Sequence, residues 1–171
     1  MPAEVATVSD CLAELPVFDT DPLTAPWHRS LQDAIETARN APAGAHVLAA
    51  SMPTPGADGL AEMLEAWIGD YPHPILANLG HRVAPPSGWV LGFEVLGFEA
   101  GRFHSWLCYG LHEQAEDELA VQANQDGLLT SLADAQRIAD AANNKRGTLN
   151  GTPEEVTWFP VRITQHDNRP T

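Results

Sequence analysis

The residues with the most chemical potential are His104, Cys108 and His112, spaced four apart. On a helix, positions i and i+4 share a face, and imidazole and thiolate both ligate zinc. Geometry works against a shared ion: eight residues at about 1.5 Å rise part the two histidines by about 12 Å along the axis. An adjacent pair needs further ligands, for which His73, His81 and His166 are the available histidines. The second chemistry is a Cys/His nucleophile, which requires thiolate character from a histidine or a helix N-terminus. The expected helix places Cys108 about two turns in, beyond the help of the amide dipoles. No GxSxG, GxGxxG, Walker-type or HExxH pattern is present. The expectation is therefore no catalytic residue, no metal and no cofactor. Cys11 and Cys108, 97 residues apart and outside any CxxC, are expected to be reduced thiols.

Acidic residues form the other candidate site. Glu113, Glu116, Asp117 and Glu118 run into the C-terminal half of the same expected helix, where the dipole disfavours negative charge. A placement that costs stability invites a functional reading, an acidic docking surface for a basic protein partner. Glu62, Glu65 and Asp70 form a reserve patch. Glu94 and Glu99 repeat within the echo LGFE, LGFE, but odd spacing sends them to opposite faces of a regular strand. They converge only if Gly97 occupies a bulge.

The elements that must position these groups follow from periodicity and punctuation. Leu31, Ala34, Ile35 and Ala38 recur at helical spacing between Trp27 and Asn40. Leu60, Met63, Leu64, Trp67 and Ile68 form the cleanest helical stripe, with Glu62, Glu65 and Asp70 outside it. Phe103, Trp106, Leu107, Leu111 and Ala115 predict a helix from Arg102 or Phe103 to Leu119. Ser131, three residues before Asp134, reads as the cap of another helix carrying Leu132, Ala135, Ile138, Ala139 and Ala142. Strands are expected at 45–52, 89–99 and 155–163, the last an edge strand because of Pro160, with a brief extended segment at Asp126–Leu129. Residues 70–88, with four prolines and two glycines, predict a long exposed connection, and HDNRPT at the C-terminus should fray. The sum is a single α+β domain over 1–171, one sheet with helices packed on it. Trp67, Trp89, Phe93, Trp106, Leu107 and Trp158 are expected in one core.

Composition bounds the partners. In 171 residues, 23 acids against 9 bases give a formal charge of −14. That disfavours a phosphate backbone or an anionic membrane surface as partner, so neither nucleic acid nor membrane is expected. No apolar run approaches the roughly 20 residues that span a bilayer. MPAEVATVSDCLAELPVF has no basic cluster before an apolar core, which gives a cytoplasmic expectation. Oligomeric state is open. The stretch from Trp89 onward, in which an LGFEVLGFE strand runs into an FHSWLC helix, then an NxxGLL segment and a second helix, resembles small hypothetical actinobacterial proteins over roughly residues 89–163. More loosely it resembles immunity proteins of bacterial polymorphic-toxin systems, which are small, acidic, cytoplasmic α+β proteins. The resemblance implies an immunity or inhibitor protein neutralising a basic toxin or enzyme. The alternative from the residues themselves is a small enzyme with a Cys/His site around Cys108.

Overall fold

The computed structural model describes residues 7–9, 27–40, 46–69, 74–80, 87–144, 149 and 155–166. In chain order these form α1 (Leu31–Asn40), β1 (Val47–Ser51), α2 (Thr54–Ile68), α3 (Pro74–Gly80), β2 (Trp89–Glu99), β3 (Arg102–Ser105), a 3₁₀ turn at Cys108–Gly110, α4 (Leu111–Leu119), α5 (Leu132–Asn143) and β4 (Thr157–His166). The four strands make one antiparallel sheet in the order β1-β4-β2-β3. This is the expected α+β class, a single sheet with helices packed on it.

Alternation along β2 and β4 divides the apolar residues between two faces. Val95 and Trp158 pack with Trp106, with Leu111 and Ala115 of α4, and with Ala135, Ile138, Ala139 and Ala142 of α5. Leu96, Phe98, Phe159, Val161 and Ile163 point the other way, towards Phe103, towards Leu60 and Leu64 of α2, and towards Ile75 of α3. The expected single core is thus two cores with the sheet between them. Trp106, Leu107 and Trp158 are buried as expected, and Phe93 is partly buried. Trp67 and Trp89 are 43% and 63% exposed, outside any core. Trp67 instead lies over the β2–β3 turn, where its ring would stand 2.3 Å from a Cβ on Gly101.

Several expectations are corrected, each for a local reason. The helix drawn from 102 or 103 to 119 is a strand, a turn and a shorter helix. Its stripe is real apolar spacing, but Phe103 serves one core while Trp106, Leu107, Leu111 and Ala115 serve the other. The register pairs Glu99 with Arg102, leaving Ala100 and Gly101 as a two-residue hairpin loop with φ of 46° and 82°, the geometry that matches strand twist. Tyr109 and Gly110, with φ of 59° and 68°, then part β3 from α4. Within the connection at 70–88, Pro74–Gly80 is a helix; proline suits a first helical position, and Ile75, Leu76 and Leu79 pack on the core beneath.

β4 is an interior strand, not an edge. Phe93 exchanges both backbone hydrogen bonds with Leu129 at 2.8 Å, so Phe93, and Val95 two residues on, turn their polar groups away from β4. Pro160, opposite Val95, therefore faces the β1 side, where β1 has already ended opposite Arg162. Its missing N–H removes no ladder bond. His166, expected to fray, pairs with Val47 and is buried; residues 167–171 lie outside the described residues. The Ser131 cap forms as read, accepting from the Asp134 amide at 3.2 Å, and Leu129 supplies the brief extended segment as a bridge to Phe93.

Candidate functional site

A cleft of about 490 Å³ lies between α4 and the segment 121–125, lined by His112, Glu113 and Glu116 on one side and Gln122, Asn124 and Gln125 on the other. Its construction starts at Ala120, where a left-handed residue (φ 54°) ends α4 and turns its amide back to the Ala115 and Glu116 carbonyls. The chain then folds on Asn124. Its Oδ1 accepts from the Asp126 and Leu128 amides, both at 2.9 Å, and its Nδ2 donates to the Leu91 carbonyl at 3.3 Å. Behind the wall, the buried indole of Trp106 donates to the Gly127 carbonyl at 3.0 Å. The far wall is therefore fastened to β2 and to the core. Across the mouth, Gln122 donates to Glu116 at 2.7 Å. His112 stands edge-on to Trp106, with ring centroids 6.3 Å apart, and its Nδ1 is buried without a hydrogen-bond partner.

The expected docking residues are distributed unevenly. Glu113, Glu116, Asp117 and Glu118 are all exposed on α4, and Glu113 and Glu116 belong to the cleft. Because α4 begins at Leu111, Glu113 sits in its first turn, and no basic residue occupies the last turn. Glu62 and Glu65 are exposed on α2, which packs on the opposite face of the sheet. They do not extend the α4 patch. Asp70 lies outside the described residues.

The metal and thiol constellation dissolves. His104 is on β3, Cys108 opens the 3₁₀ turn and His112 is on α4, so they share no helical face. Among the described residues no three His, Cys, Asp or Glu side chains gather to hold a metal. His73 and His81 lie outside the described residues. Cys108 is disulfide-bonded, which corrects the expectation of reduced thiols and removes the thiolate that a Cys/His nucleophile requires. The other cysteine in the sequence, Cys11, lies outside the described residues.

Two polar groupings escaped the reading of the sequence. At the hairpin end, His104 Nε2 stands 3.5 Å from Glu99 Oε2, and its ring lies 5.3 Å from that of Tyr109. The Tyr109 hydroxyl reaches the same oxygen at 3.5 Å; partial burial, then the Glu99 charge, push that phenol above its ordinary range. Glu94 and Glu99 point to opposite faces, as their spacing requires. Gly97 is no bulge: a Cβ there would meet the Trp158 ring at 2.8 Å, and the register shift falls between Val90 and Gly92. Glu94 is buried on the far face, where desolvation lifts its carboxyl to about 7 against the opposing donors Thr7, Ser105 and the Val8 backbone. The available signal was Glu94, an acid flanked on both sides by apolar residues in the middle of the strand.

No protein-family model, curated protein or solved structure matches the chain. Among the described residues no helix is long and apolar enough to cross a membrane.

Proposed function

We propose that the protein is an acidic binding module that docks a basic protein partner on α4, with a lysine or arginine side chain of the partner entering the adjoining cleft. The observation that carries this reading is the exposure of four carboxylates, Glu113, Glu116, Asp117 and Glu118, on one short helix beside a preformed cleft. None of them is in an ion pair among the described residues. Carboxylates left open to solvent attract a cationic surface before contact and reject an anionic one. The same charge supports leaving nucleic acid and anionic membranes out of the partner list. The specific form of this function is an immunity or inhibitor protein that neutralises a basic toxin or enzyme. The expected cytoplasmic location stands against a lasting disulfide at Cys108, which favours an oxidising compartment. The docking chemistry is the same in either.

The test is association kinetics at low and high salt, using wild type and the variant Glu113→Gln, Glu116→Gln, Asp117→Asn, Glu118→Gln. The basic product of an adjacent gene is the first partner to try. The variant should associate severalfold more slowly and with a flatter salt dependence, with a smaller change in dissociation. Identical rates and salt slopes for both proteins would remove α4 as the docking surface.

A further inference from the structure

Glu94 is the single fully buried acid among the described residues, 1% exposed on β2. It lies on the face opposite α4 and its cleft, in line with Leu96 and Phe98. Over it lies a short piece of the N-terminal chain, in which Thr7 is 8% and Ser9 0% exposed. Thr7 Oγ1 lies 2.6 Å from Glu94 Oε1 and 2.9 Å from Ser9 Oγ, and the Ser9 amide donates to Thr7 Oγ1 at 3.0 Å. The Thr7 hydroxyl carries one proton, for which Glu94 Oε1 and Ser9 Oγ are both acceptors within reach. Glu94 Oε2 has no hydrogen-bond partner.

Among the described residues no cation pairs with Glu94; Trp27 packs on the same core, with His28 beside it partly buried and Arg29 exposed. Val161 stands opposite on β4 and Ser105 lies on β3, and α3 carries no charged residue. Asp58, Glu62 and Glu65 of α2 are exposed. Arg162 pairs with Phe93 and His104 with Gly97, positions whose side chains belong to the other face. A carboxylate buried this deeply without a cation among the described residues costs more than a neutral carboxyl, which still accepts from Thr7, Ser105 and the Val8 backbone.

We propose that Thr7–Ser9 is a strap that closes over neutral Glu94 and is released when Glu94 ionises, uncovering the sheet face beneath it. The closed form keeps its proton up to about 7, while a solvated carboxyl loses it near 4.5. Between those values the closed form binds a proton that the open form has lost, so opening rises about tenfold per pH unit. It levels off above about 7, after a total change on the order of 300-fold.

Hydrogen exchange on the full chain from pH 5 to 8.5 tests this, with the protection of the Ser9 amide followed against that of Val161 in the core. Ser9 should lose protection about tenfold per unit between pH 5 and 7, while staying well below Val161 throughout. Glu94→Gln should hold the strap at every pH and flatten the profile. If that variant does not fold, Thr7→Val serves. It should lower Ser9 protection at all pH values and raise the Glu94 titration midpoint, read by carbon NMR of the carboxyl. Ser9 protection equal to Val161's at every pH would make the segment part of the core. A flat wild-type profile, or a Thr7→Val variant that moves neither readout, would take Glu94 out of the device; any of these results overturns the proposal.

Discussion

Trp106 joins the core to the wall of the cleft, and two substitutions separate those roles. Its side chain is fully buried against the α4 and α5 residues, and its indole N–H satisfies the Gly127 carbonyl at 3.0 Å. Trp106→Ala removes the whole ring and leaves a cavity that the rigid sheet cannot close, at a cost of about 3–5 kcal/mol. Trp106→Phe keeps most of the apolar contact but leaves a buried carbonyl unpaired, at a cost of about 1–3 kcal/mol. With a urea m-value of about 1–3 kcal/mol/M, the alanine variant should lose roughly 1–3 M of denaturation midpoint and the phenylalanine variant a clear fraction of that. Circular dichroism is the suitable probe, because the mutated residue is one of five tryptophans and fluorescence would confound the comparison. An unchanged midpoint for Trp106→Ala would mean that Trp106 is not in the core. A phenylalanine variant as stable as wild type, beside a destabilised alanine variant, would mean that the Gly127 bond does not fasten the wall.

Ala120→Gly should stabilise the protein by up to about 1 kcal/mol, because glycine adopts the left-handed cap without a Cβ penalty. The same substitution at Ala139, buried within α5, should destabilise it, and a loss at Ala120 in the denaturation midpoint would contradict the cap geometry. Reductant should lower the melting temperature of wild type to that of Cys108→Ser, by the equivalent of about 2–4 kcal/mol, and leave the variant unmoved. A wild type indifferent to reductant would show that the Cys108 bond contributes nothing to the fold.

The fold was legible where one element serves one core. The α5 cap at Ser131 and the α2 stripe declare themselves because cap chemistry and a 3.6-residue period are local. The segment 102–119 misled because Phe103 and Trp106 belong to opposite sides of the sheet, and their spacing imitates a helix while the chain crosses from one core to the other. Pro160 misled for a related reason: whether a proline breaks a ladder depends on where the neighbouring strand ends, which no local pattern records. The acidic surface was legible as charge. The cleft beside it was not, because it depends on Asn124 accepting from amides two and four residues ahead and on Trp106 reaching Gly127. Glu94 and its contact with Thr7, 87 positions away, could be seen only once the chain had folded.

The helix boundary sharpens the case for docking on α4. With the helix starting at Leu111, Glu113 falls in the first turn and is favoured by the dipole, so it needs no functional explanation. Glu116, Asp117 and Glu118 lie near the C-terminal end, where each exposed acid costs about a few tenths of a kcal/mol. Glu116 recovers part of that through Gln122. Asp117 and Glu118 make no hydrogen bond or ion pair that offsets it among the described residues. The two roles these acids could have differ in sign. If they served the fold, neutralising them would destabilise the protein; if they serve encounter with a basic partner, neutralising them relieves the helix end and removes attraction at a distance. The quadruple variant should therefore melt at or above the wild-type temperature while associating more slowly. A variant that binds more slowly and is also less stable would attribute the loss to a damaged helix, and the docking reading would lose its support.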